Sequence, residues 1–125
     1  MAAPEAVRPD GAAPAAAGRG EHVLYVDDDP VMLVTVEALL QRAGYRVSAF
    51  EDASTALAAV QARPDAFDLA ITDYNMPQLS GLELARAMGG ANRSLPLIIA
   101  SGYIAPELRA QARSLGDCSL LNKED

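Results

Sequence analysis

Cations are scarce in this 125-residue chain: Lys and Arg number 10 against 17 Asp and Glu, for a formal net charge of -7. A nucleic-acid surface needs a basic face to meet phosphates. Neither nucleic acid nor an anionic membrane surface is therefore an expected partner; a metal cation or a basic protein patch is. Cys118 is the only cysteine, so no internal disulfide can form, and a reducing, cytoplasmic setting is expected. No apolar run approaches the roughly 18 residues of a membrane span, and the N-terminus lacks the apolar core of a signal peptide. There is no Trp and only one His, which has no partner at triad spacing, so an ordinary Ser-His-Asp triad is not expected. Half of the residues are nonetheless apolar, enough for one domain with a real core and too few residues for two.

The chain is organised around Ala70-Ile71-Thr72-Asp73-Tyr74-Asn75-Met76-Pro77. A short apolar, β-branched run ends in a carboxylate and then turns, which reads as a buried strand with Asp73 at its carboxyl end. Residues 1–20 are rich in Ala, Pro and Gly without helical or strand period, and read as a disordered linker ahead of a domain at 21–125. His22-Val23-Leu24-Tyr25-Val26 predicts a first strand, stopped by Asp27, Asp28 and Asp29. Pro30 suits the first turn of a helix whose Met32, Val36, Leu39 and Ala43 share one face, with Gly44 closing it. Tyr45–Phe50 alternates as a second strand. Asp52 or Ser54 caps a second helix through Ala56, Leu57 and Val60. After the Asp73 strand, Ser80 and Glu83 have capping-box spacing. They predict a third helix with Leu82, Ala85 and Met88 inward, ended by Gly89-Gly90. Leu95–Ala100 is a fourth strand, ending in Ser101. Pro106 opens a fourth helix through Leu108, Ala112 and Leu115, closed by Gly116, and Cys118–Asn122 is a fifth strand with Lys123 just past it.

Alternating strands and helices predict an α/β fold: a doubly wound, five-stranded parallel sheet with right-handed crossovers and helices on both faces. In such a sheet the carboxyl ends of the strands share one edge. Asp27, Asp28, Asp73, Ser101 and Lys123 would meet there. Clustered carboxylates need a cation, and oxygen ligands with open positions suit Mg²⁺, which also takes phosphate oxygens. A carboxylate can attack phosphorus to give an aspartyl-phosphate, provided the charge on the transferred group is neutralised. Asp28, Lys123 and Ser101 could do this around Asp73, so these residues suggest a protein that phosphorylates its own Asp73.

Tyr25-Val26-Asp27-Asp28-Asp29-Pro30, Thr72–Pro77, Ala100-Ser101-Gly102 and Lys123 resemble, in order and at matching spacing, the receiver domain of two-component response regulators. The resemblance covers about residues 22–124. It implies a flavodoxin-like strand order of 2-1-3-4-5 and a phosphorelay role. Asp73 would accept a phosphoryl group from a phosphohistidine on a sensor histidine kinase or histidine phosphotransfer protein. Asp28, Asp73 and the backbone carbonyl of Asn75 would bind Mg²⁺, with Asp27 helping through water. Ser101 and Lys123 would engage the phosphoryl group, and the strand 4–helix 4–strand 5 face would change for a downstream protein partner. Such a domain is regulatory rather than an enzyme on other substrates, catalysing only its own phosphotransfer and dephosphorylation. Three departures are visible. Glu124 follows Lys123 where the family has Pro, and Leu120 stands where an aromatic switch residue is common. The chain stops where a fifth helix is expected, so that helix is missing from the expected fold, and a homodimer is one way to cover the exposed face. The Ala/Pro linker, together with Ser101-Gly102-Tyr103 and Asn122-Lys123-Glu124, resembles receivers joined behind the kinase core of hybrid histidine kinases.

Bland readings apply residue by residue. Asp29 reads as a cap for the first helix, His22 as an exposed residue without a role, and Cys118 as a small core residue. Tyr103 is surface packing, or a residue tuning dephosphorylation as the resemblance implies. Two other functions compete. One is a degenerate receiver that binds partners without phosphorylation. The other is a phosphatase resembling the haloacid dehalogenases, with Asp27 as nucleophile and Asp29 as acid/base, although no downstream acidic pair completes its metal site.

Overall fold

The computed structural model describes residues 18–77, 79–92 and 94–123. The linker expected over residues 1–20 lies mostly outside them. Its last residues are hydrogen-bonded to the domain: the Gly18 amide donates to the Ala43 carbonyl at 2.7 Å and the Gly20 amide to the Gly44 carbonyl at 2.9 Å.

Nine elements alternate: β1 (His22–Val26), α1 (Pro30–Arg42), β2 (Arg46–Phe50), α2 (Ala53–Ala62), β3 (Leu69–Asp73), α3 (Gly81–Ala91), β4 (Leu97–Ser101), α4 (Pro106–Arg113) and β5 (Cys118–Asn122). All pairings are parallel, in the order β2-β1-β3-β4-β5. Right-handed crossovers place α1, which leads leftward to β2, on the face opposite α2, α3 and α4, which lead rightward. The core lies under those three helices. There Leu24, Val26, Ala70, Leu97 and Ile99 of the sheet meet Val60, Leu82, Leu84, Met88 and Leu108. These are short continuous apolar strands, as a sheet covered on both faces requires.

Local chemistry sets the helix starts. Asp29 caps α1 by accepting from the Val31 and Met32 amides at 3.0 and 3.4 Å. Asp52, rather than Ser54, caps α2. At α3 the Ser80 hydroxyl accepts from the Glu83 amide at 3.1 Å while Glu83 accepts from the Ser80 amide at 3.0 Å, completing the capping box.

Two expectations need correction. Gly89-Gly90 does not end α3, which runs to Ala91 and is capped at Asn92. Glycine keeps its amide and costs a helix only about 1 kcal/mol, less than the buried face of α3 returns. In α1, no residue is fully buried, and Leu39, expected inward, is 58% exposed. Among the described residues the main contacts of the helix are with β1 and β2, which leaves its flanks open. On the same face Ile71 and Ile98 are half-buried and Leu121 is exposed. No helix follows β5 among the described residues.

Candidate functional site

Sheet register brings the site together. Val26 pairs with Thr72, Asp73 with Ala100, and Ser101 with Asn122. Asp27, Asp73, Ser101 and Lys123 thus leave the sheet at one level. The ladder extends past the strands: the Asp27 amide donates to the Phe50 carbonyl at 3.1 Å, the Tyr74 amide to Ala100 at 2.8 Å, and the Lys123 amide to Ser101 at 2.8 Å. These bonds fix the backbone where each functional side chain begins.

Asp73 is 6% and Asp27 1% exposed, whereas Asp28 faces solvent. One carboxylate oxygen from each of the three lies within 4.8 Å of the others. Two carboxylates at that separation repel by on the order of 3 kcal/mol at an effective dielectric constant of about 20. The Lys123 ammonium sits 2.5 Å from Asp73 Oδ1. One ammonium against three carboxylates leaves two negative charges, the balance a divalent cation supplies. The oxygen-only donor set, partly open to solvent, suits Mg²⁺.

The titration behaviour follows. Burial pushes the Asp73 carboxyl above its ordinary value; the Lys123 hydrogen bond and charge pull it down, and Asp27 and Asp28 push it up again. Burial alone would lower the Lys123 ammonium, but its hydrogen bond and attraction to Asp73, with Asp27 and Asp28 behind, outweigh that and raise it. Lys123 therefore stays charged at neutral pH.

Ser101 is 2% exposed. Its hydroxyl donates to the Tyr103 carbonyl at 2.7 Å and accepts from the Tyr103 amide at 3.3 Å, a local turn rather than a contact with Asp73. Asn75, exposed two residues after Asp73, lines with Ser101 and Tyr103 a cavity of about 510 Å³. Tyr103 is 74% exposed.

Two neighbours were not anticipated. The Tyr25 hydroxyl donates to Asp27 Oδ2 at 2.7 Å, and the Asp29 amide to Asp27 Oδ1 at 3.0 Å. Burial first, then the Asp27 bond, keeps this phenol protonated far above its usual range. Strand periodicity held the clue, since residues two apart share a face. Gly81 at the start of α3 is the second. A Cβ there would lie 2.3 Å from the Asp73 carbonyl oxygen and 2.9 Å from Tyr74 Cα, and the Gly81 amide donates to the Tyr74 carbonyl at 2.8 Å. No local signal marks this approach, because it depends on how α3 seats on β3.

A doubly wound sheet with this acid, hydroxyl and ammonium set at one edge is the architecture of a phosphorelay receiver, and the chain belongs to the response regulator receiver domain family, whose model matches residues 23–124. It is similar to the two-component response regulator ORR25 of Oryza sativa subsp. japonica, 38% identical over 104 residues that make up 83% of this chain and 15% of that protein. The chain thus spans less than a fifth of that relative's length. Its fold matches the Vibrio cholerae chemotaxis protein CheY4 with a TM-score of 0.76 and 30% identity, covering 85% of this chain and 88% of that one. It also matches a Burkholderia pseudomallei response regulator with a phosphorylated aspartic acid, calcium ion and citrate: TM-score 0.75, 25% identity, 84% of this chain and 61% of that one. Among the described residues no helix is long and apolar enough to cross a membrane.

Proposed function

We propose that the chain relays a signal by accepting a phosphoryl group on Asp73 from a phosphohistidine of a sensor kinase or phosphotransfer protein. The observation that carries this reading is the placement of buried Asp73 between the Lys123 ammonium at 2.5 Å and the Asp27 and Asp28 carboxylates. A similar fold with a phosphorylated aspartic acid and a bound calcium ion in the Burkholderia pseudomallei protein supports it. An Asp73 carboxylate oxygen attacks phosphorus; the new P–O bond forms as the P–N bond to the donor imidazole breaks, and the imidazole leaves with a proton. Asp28, Asp73 and the Asn75 carbonyl would hold Mg²⁺, with Asp27 assisting through water, and the ion would supply charge neutralisation to the phosphoryl oxygens. Lys123 neutralises another oxygen and orients the acyl phosphate.

The Ser101 hydroxyl must leave the Tyr103 carbonyl to donate to a phosphoryl oxygen. That exchange releases the backbone at Tyr103, at the start of the β4–α4 loop, and so couples phosphorylation to the β4–α4–β5 face. A downstream protein, or a second copy of the chain, would read that face. Leu120, half-buried against the core, gives this switch no aromatic reporter. The phosphatase reading requires Asp29 as acid/base, yet its carboxylate is engaged capping α1.

Intact mass after incubation with acetyl phosphate, with and without Mg²⁺, tests the proposal on the wild type and on Asp73→Asn and Asp27→Asn. A single Mg²⁺-dependent phosphoryl adduct, lost in Asp73→Asn, is expected. An adduct lost only in Asp27→Asn favours the phosphatase chemistry. No adduct on folded wild type favours a module that works by binding alone.

A further inference from the structure

We propose that Tyr25 is a positioning residue of the cation site, its hydroxyl holding Asp27 in the orientation from which that carboxylate serves the metal. The inference rests on the magnesium site proposed above. Tyr25 is 4% exposed, and its ring is fixed in the buried body of β1. The hydroxyl reaches Asp27 Oδ2 at 2.7 Å while the Asp29 amide takes Oδ1 at 3.0 Å. The two donors, two residues before and two residues after Asp27, take different oxygens, so together they set the plane of the carboxylate. Each oxygen keeps a further lone pair for a metal-bound water or the ion itself.

Packing does not require the hydroxyl. Phenylalanine would fill the same space, and the ring edge would then leave Asp27 Oδ2 without its phenolic donor on a carboxylate that is only 1% exposed. Held by the Asp29 amide alone, the carboxylate can turn about its side-chain torsions and away from Asp28 and Asp73, whose oxygens lie within 4.8 Å of it. Groups that hydrogen-bond a metal-serving carboxylate hold it in register, and their loss typically weakens metal affinity by about 10–100-fold.

The test is Mg²⁺ titration calorimetry on the full chain, wild type against Tyr25→Phe. The expected result is a Kd raised about tenfold. Unchanged or tighter binding in Tyr25→Phe, with the wild type binding normally, overturns this role and leaves the receiver reading intact. A wild type that binds no Mg²⁺ removes both. Should Tyr25→Phe fail to fold, the wild type still decides. Its Tyr25 hydroxyl proton is expected as a slowly exchanging NMR resonance that moves on Mg²⁺ saturation, and a resonance indifferent to Mg²⁺ overturns the proposal.

Discussion

Gly81→Ala is a one-carbon change whose effect can be worked from the structure. The new Cβ would lie 2.3 Å from the Asp73 carbonyl oxygen, 2.9 Å from Tyr74 Cα and 3.0 Å from the Asp73 carbonyl carbon. All three are backbone atoms, so no flexible side chain can swing aside. Either α3 lifts from β3 or the chain at Asp73 shifts. Alanine is otherwise the better helix residue, worth up to about 1 kcal/mol in a helix interior and less at the first turn. Overpacking of this kind costs about 1–3 kcal/mol, and contact with rigid backbone places Gly81→Ala at the upper end. A net loss of about 2 kcal/mol lowers the melting temperature of a domain this size by about 8–12 °C. The same displacement moves Asp73 relative to Lys123 and Asp28, so phosphorylation by acetyl phosphate should slow even well below the melting temperature. Thermal melts by circular dichroism, with phosphorylation rates on the folded protein, check both. A melting temperature equal to or above that of the wild type refutes the reasoning, because it would mean α3 is not seated against Asp73 as described.

Ser80→Ala removes half of the capping box at the same helix. It should cost about 1 kcal/mol without touching Mg²⁺ affinity, as thermal melts and calorimetry would show. Asp73 and Lys123 make a prediction about pH in the metal-free protein. The folded carboxyl of Asp73 is raised above 3.8, so ionising it is less favourable in the fold than in the unfolded chain, and stability falls as pH rises through the window above that value. Asp73→Asn should therefore melt higher than the wild type at neutral pH, with the advantage fading below pH 3.8; a lower melting temperature at neutral pH would contradict the assignment. Lys123 is raised above 10.5, so its contribution is fully present below that pH and is lost as pH climbs through the folded value. Alkaline melts of wild type against Lys123→Met would show the difference between them shrinking there.

Much of this architecture is legible in residue order. β1 and β3 announce themselves because each is a short apolar run cut off by a carboxylate, and parallel pairing then forces those carboxylates onto one edge. The caps at Asp29, Asp52 and Ser80 are local chemistry and so are visible locally. Tertiary contacts are not. His22 carries no pattern, yet its ring bridges the Ala66 carbonyl at 3.1 Å and the Ser48 hydroxyl at 2.7 Å and lies against Phe67. It is a tie between β1, β2 and the loop before β3 rather than the exposed residue its position suggests. The exposure of α1 is not legible because periodicity shows which residues align, not whether a second helix covers them. Cys118 is half-buried against the core, and burial raises its thiol, in keeping with a packing role. The approach of Gly81 to Asp73 depends on a distance between separate chain segments, which composition and spacing do not encode; the Tyr25–Asp27 and Ser101–Tyr103 bonds join residues two apart, whose spacing shows nearness but not which hydrogen bonds form.

The central claim is that Asp73 carries the phosphoryl group. Borohydride reduction of the acetyl-phosphate-treated protein converts an aspartyl phosphate to homoserine, and fragment mass spectrometry then locates it. The account predicts homoserine at residue 73 alone, and only in samples that contained Mg²⁺. Homoserine at residue 27 or 28, or its absence from a folded, Mg²⁺-treated sample, would contradict it.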